Sequence, residues 1–222
     1  MLEVLLLVVA FYLVGSFPTA YVFGRLAKGI DIRRYGSGNV GGANAWQMVG
    51  HWAFVPVASI DVGKGISSVL VAEALGIGHF EQVLVALATV AGHNWSIFLR
   101  FTGGRGVSTT LGALLILAPS LVLFFVAIAV AGILLHRIPL WIGFAMVCLP
   151  FASLAMGKPP EITFASAAFA LLIFAKRLTA NWEKPALADW KRVAANRLLF
   201  DRDIVRREPW VGRIPPNGEQ SR

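Results

Sequence analysis

The stretch VSTTLGALLILAPSLVLFFVAIAVAGILL, residues 107–135, decides how this chain is folded. It carries no ionisable side chain and lies between Arg105 and His136-Arg137. It reads either as one long apolar helix or as two short ones broken at Pro119, because proline removes a backbone hydrogen bond and clashes with the preceding turn. Runs like it dominate the chain. Of 222 residues 57% are hydrophobic and 14% are charged, against roughly 25% charged in a soluble domain. That composition excludes disorder and leaves too little polar surface for a water-soluble globule, so the runs are read as membrane spans. The flanking charges then choose between the two readings of 107–135. With a turn at Pro119, Arg100, Arg105 and His136-Arg137 share one membrane face with Arg25, Lys28, Arg33, Arg34 and the basic C-terminal segment. The other face receives 76–81, the Pro119 turn and 157–161 with only Lys158. This is a positive-inside distribution. Without the turn, the basic tail falls on the wrong side.

Working outward, apolar runs lie at 2–24, 52–75, 82–99, 107–117, 120–135, 138–156 and 161–175. Several are shorter than the ~20 residues of a full crossing. The expected fold is an all-α polytopic integral membrane protein with about seven transmembrane helices. Its N-terminus is outside and its C-terminus cytoplasmic. Residues 1–175 form the membrane domain and 176–222 a basic cytoplasmic tail. Net charge is +8, and from Lys176 onward there are eleven Lys/Arg against six Asp/Glu. Topology accounts for that excess, so no nucleic-acid partner is expected. The tail also carries Trp182, Trp190 and Trp210, which suits an interfacial or solvated segment with no chemistry of its own. Cys148 is the single cysteine and excludes an intramolecular disulfide. The N-terminus has Glu3 where a signal peptide has a basic region, so the first run is read as a retained span.

Ionisable groups inside a span usually line a cavity or pair with each other. Asp61 and Lys64 stand three apart in the second run and share a helix face. They form either a structural ion pair or a site wall with Lys64 facing an anion. His93 and Asn94 close the third run. Soon after comes Phe101-Thr102-Gly103-Gly104-Arg105-Gly106-Val107, leading into a helix. Glycines let backbone N–H groups approach an anion, a helix N-terminus adds partial positive charge, and an arginine neutralises the rest. The first loop holds a second such turn, Arg33-Arg34-Tyr35-Gly36-Ser37-Gly38-Asn39-Val40-Gly41-Gly42-Ala43-Asn44. Ser37, Asn39 and Asn44 add neutral hydrogen-bonding groups there. Two such loops on one face point to a single site at the cytoplasmic boundary, for a phosphorylated substrate with an apolar part. There is no Walker A spacing, no G-x-S-x-G elbow, no zinc spacing and no paired carboxylate within a span. No metal or cofactor is expected.

Taken in order, Gly15-Ser16-Phe17-Pro18-Thr19-Ala20-Tyr21, the Gly36-Ser37-Gly38-Asn39 loop with Asn44, Asp61-x-x-Lys64-Gly65, and Gly92-His93-Asn94 through Gly103-Gly104-Arg105-Gly106 resemble the bacterial acyl-phosphate:glycerol-3-phosphate acyltransferases, the PlsY family. The likeness is specific over 15–110, extends in span count to about 175, and lapses in the tail. It implies a multi-pass enzyme of the cell inner (plasma) membrane with its active site facing the cytoplasm. The implied reaction moves a fatty acyl group from acyl phosphate to the 1-hydroxyl of glycerol 3-phosphate, the first step of phospholipid synthesis. Acyl phosphate is already activated, so the need is placement of two phosphates and stabilisation of a developing oxyanion. The resemblance implies catalytic roles for Ser37, Lys64, His93 and Arg105, with Gly38, Asn39, Asn44, Asp61, Asn94, Gly103, Gly104 and Gly106 binding substrate. Ser37 would hydrogen-bond a substrate hydroxyl or phosphate, and the loop glycines would present amide donors. Lys64 and Arg105 would neutralise phosphate, Asp61 would hold Lys64, and His93 would orient or shuttle a proton. The bilayer and the two substrates are the expected partners, and a monomer is compatible with this reading.

Three departures stand out. Gln47 occupies a position where the family has arginine, Arg105 one where it commonly has lysine, and the family's His-Arg-x-Asn motif after the last span is not recognisable. Lys176, Arg177 and Leu178 stand there, with Asn181 and Glu183 nearby. Two other readings therefore stay open, a weak or inactive paralogue that binds a phosphorylated lipid and a small-solute transporter.

Overall fold

The computed structural model describes residues 1–180, 189–206 and 208–213. Among these the chain is all-helical, with no strand. The helices are α1 (Leu2–Ser16), α2 (Thr19–Lys28), α3 (Gly42–Met48), α4 (Phe54–Ala74), α5 (His79–Asn94), α6 (Val107–Leu117), α7 (Pro119–Leu134), α8 (Ile138–Ala155), α9 (Pro160–Thr179), α10 (Trp190–Phe200) and α11 (Glu208–Val211). Four helical stretches, Leu2–Lys28, His51–Ala74, Ile138–Ala155 and Pro160–Thr179, are long and apolar enough to cross a membrane. Large apolar side chains such as Leu5, Leu123, Phe151 and Leu171 stand exposed on the outside, as a lipid-facing surface requires.

The break at Pro119 is present. α6 ends at Leu117 and α7 begins at Pro119, where proline's missing N–H costs nothing in a first turn. α6 spans 11 residues, about 16 Å at 1.5 Å per residue. The turn brings the start of α6, the start of α8 and the end of α9 to one end of the bundle. There Arg105 donates to the Lys176 carbonyl and Arg177 to the Pro139 carbonyl. Two boundaries differ from expectation. The run 2–24 is not one helix, because Pro18 ends α1 and α2 restarts at Thr19. The last run continues past 175 to Thr179, so Lys176 and Arg177 belong to α9 and are buried. Trp182, Asn181 and Glu183 lie outside the described residues.

Lipid supplies no hydrophobic drive between helices, so close packing must do the work, and small residues allow it. The two tightest crossings use glycine from both sides. On α1 and α5, a Cβ at Gly15 would overlap the Thr89 carbonyl, and one at Gly92 the Tyr12 carbonyl. On α4 and α6, a Cβ at Gly65 would overlap the Thr109 carbonyl, and one at Gly112 the Val62 carbonyl. The main apolar core runs through α4 to α9, with Leu114, Leu121, Met146, Leu149 and Phe169 fully buried.

Gly112→Ala is expected to destabilise the purified protein by about 1–3 kcal/mol through overpacking. Gly63→Ala, on the facing helix α4, meets open space and should be neutral or stabilising, by up to about 1 kcal/mol from helix propensity. Thermal unfolding in detergent checks both. Equal melting points for the two variants would remove the backbone contact as the packing device.

Candidate active site

The site begins at Pro18. The proline breaks α1 from α2 and turns the Phe17 carbonyl toward α4. Lys64 answers it from α4 with all three ammonium hydrogens. Its Nζ donates to the Phe17 carbonyl at 2.6 Å, to Thr19 Oγ1 at 2.8 Å and to Asp61 Oδ1 at 2.7 Å. Thr19 Oγ1 in turn donates to Asp61 Oδ1 at 2.9 Å. Asp61 and Lys64 are both buried. Their placement is that of an ion pair, since the protein's own acceptors use every donor that would otherwise face an anion. The same Asp61 Oδ1 lies 3.6 Å from His93 Nδ1, which extends the row from α4 to the end of α5.

The second glycine loop is folded onto that histidine. Gly104 N–H donates to the His93 carbonyl at 2.9 Å. A Cβ on Gly104 would overlap His93 Nε2, and one on Gly103 would overlap the His93 carbonyl. Gly106 takes φ +78°, the left-handed turn that starts α6. These glycines therefore have a packing reason beside any ligand. Asn94 ties the same corner to α9 through Nδ2 and the Leu172 carbonyl at 3.2 Å, while its buried Oδ1 has no hydrogen-bond partner among the described residues. Arg105 is buried at the loop's tip. Its Nε makes an ion pair with Asp201 Oδ1 at 2.6 Å, and its Nη1 donates to the Lys176 carbonyl at 3.3 Å.

Asn44 organises the first loop. Its Nδ2 donates to the carbonyls of Ile32, Tyr35 and Asn39, and its Oδ1 accepts from Ser37 N–H at 3.1 Å. Asn44 thus shapes the turn with both ends of its amide. The Ser37 hydroxyl oxygen accepts from Asn39 N–H at 3.4 Å. Gly38 sits at φ +68° and donates its N–H to Tyr35. Asp31 braces the base of the loop by pairing with Arg33 at 2.6 Å. Burial pushes the Asp31 carboxyl up, but the Arg33 hydrogen bonds outweigh it and hold the group below its ordinary value.

The two loops meet. Val40 N–H donates to the Gly103 carbonyl at 3.4 Å. Arg33 Nη1 reaches the Leu99 carbonyl at 3.4 Å and Thr102 Oγ1 at 3.3 Å. Ser37, Gly38, Asn39 and Asn44 therefore share a corner with Gly103, Gly104, Arg105 and Gly106, and that corner rests on His93, Asp61 and Lys64. Beside it, an apolar groove of about 390 Å³ runs between α5 and α9, lined by Leu87, Ala88, Ala91, Ala168, Leu171 and Leu172. Three contributors escaped sequence reasoning. Thr19 lay within the opening motif but had no charge to mark it. Lys176 is fully buried with Nζ 5.7 Å from the Trp95 ring, yet in sequence it looked like the first residue of a basic tail. Asp201 sits in a charge-rich stretch with no distinguishing pattern.

Comparison with known proteins gives the same direction. Residues 5–184 match the family described as glycerol-3-phosphate acyltransferase. Glycerol-3-phosphate acyltransferase 5 of Dehalococcoides mccartyi is 37% identical, over 98% of this chain and 96% of its own length. Glycerol-3-phosphate acyltransferase 2 of Moorella thermoacetica is 45% identical, over 75% of this chain and 87% of its own. Among solved structures, PlsY, an integral membrane glycerol 3-phosphate acyltransferase, superposes in its glycerol 3-phosphate form with a TM-score of 0.72. That match has 29% identity and covers 84% of this chain and 98% of the other.

Breaking the buried pair one-sidedly should be costly. Lys64→Met leaves Asp61 without its cation and is expected to lose about 3–5 kcal/mol, whereas the double variant Asp61→Leu/Lys64→Met should recover much of that. Unfolding of both variants in detergent measures it. A double variant no more stable than the single one would mean that the pair is not the organising contact.

Proposed function

The chain belongs to the glycerol-3-phosphate acyltransferase family, and we propose that it moves a fatty acyl group from acyl phosphate to the 1-hydroxyl of glycerol 3-phosphate. The products are lysophosphatidic acid and inorganic phosphate, and the step opens phospholipid synthesis. The observation that carries this reading is the hydrogen bond from Val40 to Gly103. It joins the two glycine loops into one corner, with Arg105 on one side and the Ser37 turn on the other. A reaction between two phosphorylated molecules needs two adjacent anion sites, and a pair of loops supplies them. The apolar groove between α5 and α9 opens next to that corner and suits a fatty chain.

The residue roles follow the geometry. Arg105 neutralises one substrate phosphate. The backbone N–H groups of Arg105 and Gly106 serve a phosphate oxygen and the carbonyl oxygen as it becomes anionic. The Ser37 hydroxyl orients the acceptor. Lys64, Asp61 and Asn44 act through the shapes they hold, and Asn94 anchors the loop's root. His93 is braced between Asp61 and the Gly104 backbone, which makes it a support for the loop. In the transfer, the acceptor oxygen bonds to the acyl carbon and the bond from that carbon to the phosphate oxygen breaks. The hydroxyl proton leaves with the departing phosphate, so no covalent enzyme intermediate is required.

The membrane setting of this reading is seven crossings, counting α1 with α2 as one, then α4, α5, α6, α7, α8 and α9. The N-terminus is outside and the glycine loops and residues 176–222 are cytoplasmic, in the inner (plasma) membrane. The positive-inside distribution of the loops supports it.

Purified protein supplied with acyl phosphate and glycerol 3-phosphate should form lysophosphatidic acid and release phosphate in equal amounts. Arg105→Ala should abolish transfer while leaving the protein folded. Phosphate release that does not depend on glycerol 3-phosphate would reject the reaction, and full activity of Arg105→Ala would reject the residue's role.

A further inference from the structure

We propose that Asp201 is a positioning residue for Arg105, brought to the active site by a C-terminal segment beyond residue 184, where the family match ends. The segment is clasped to the membrane helices. Arg177 on α9 donates to the Leu198 carbonyl on α10 at 2.6 Å and to the Pro139 carbonyl on α8 at 2.9 Å. Arg197 on α10 donates back to the Leu178 carbonyl at 2.6 Å. Each arginine thus holds the carbonyl next to the other, and both are buried. The turn after α10 is braced in its own right. Arg197 takes both carboxylate oxygens of Asp203, at 2.5 and 3.1 Å, and Asn196 donates to the Asp203 carbonyl at 3.0 Å.

Asp201 sits inside this fixed turn with φ +55°, a conformation aspartate tolerates better than most residues. From there its Oδ1 meets Arg105 Nε at 2.6 Å. The Lys176 carbonyl takes Nη1 of the same guanidinium. The guanidinium is thus met by a carboxylate charge at Nε and a carbonyl at Nη1, and Nη2 is the nitrogen left to meet a phosphate. The carboxylate is a built support rather than a competing anion, because the turn that carries it is held at both ends by buried arginines. This inference rests on the proposed acyl transfer for the role of Arg105.

The test uses the full chain in detergent. Asp201→Asn should lower kcat/KM for transfer by about tenfold to a hundredfold, the scale of a misaligned binding group. The melting point without ligand should stay close to wild type, and Asp201→Glu should restore most of the loss. In an Arg105→Lys background the Asn change should have little further effect, a coupling that a purely structural role would not produce. An unchanged or raised kcat/KM in Asp201→Asn, or additive effects in the double variant, would overturn the proposal. If Asp201→Asn does not fold, Asp201→Ser takes its place in every arm. A readout without turnover separates this idea from the reaction itself. Inorganic phosphate should raise the melting point of the wild type and do so less in Asp201→Asn. If the wild type forms no lysophosphatidic acid, the reaction is wrong and the phosphate shift alone decides. An equal or larger shift in the Asn variant then overturns the role of Asp201.

Discussion

One ammonium group, Lys64 Nζ, sits where three elements have to agree. It takes a carbonyl from the break between α1 and α2, a hydroxyl from the start of α2 and a carboxylate from its own helix. A cation buried among apolar helices is tolerable only when its hydrogens are used and its charge is answered. That condition fixes the direction in which Pro18 bends the chain. It also fixes Asp61, and Asp61 faces the His93 ring against which Gly104 is pressed. The second glycine loop thus takes its height and tilt from a contact on the opposite side of the histidine.

The glycines carry a double duty. Those at helix crossings let main chains touch where lipid gives no reason for side chains to cluster. Those at 103, 104 and 106 bring a loop so close to the end of α5 that any side chain would strike His93 or Asn94. That tight packing uses backbone donors itself, as where the Gly104 N–H meets the His93 carbonyl. The same composition that looks like an anion cradle in the sequence is therefore also what the fold demands locally.

Much of this was legible beforehand, for physical reasons that differ from element to element. The Pro119 turn could be read because charge bias and a helix breaker pointed to the same place. The partnership of Asp61 and Lys64 could be read from helical spacing, but its sense could not. Whether the ammonium faces ligand or protein depends on Thr19 and on a carbonyl turned by Pro18, and neither contact leaves a periodic trace. The meeting of the two glycine loops followed from their shared face of the bundle. The first span stands as one apolar stretch, Leu2–Lys28, but its apolar run hides a proline that tertiary contacts turn into a sharp break. The tail was the largest gap. Opposite charges in a soluble-looking stretch give no hint of which one reaches back across the fold, and Lys176 and Arg177 looked like its first residues although α9 carries them into the interior.

The clasp between Arg177 and Arg197 has a consequence for biogenesis. A chain made from its N-terminus delivers α10 after every membrane helix has been synthesised. Until then Arg177 has no Leu198 carbonyl to bind and Arg105 no Asp201. The nascent protein can be inserted in the bilayer with Arg105 held by the Lys176 carbonyl alone. Maturation of this corner is therefore a late event, timed by translation of the segment that carries α10 and Asp201.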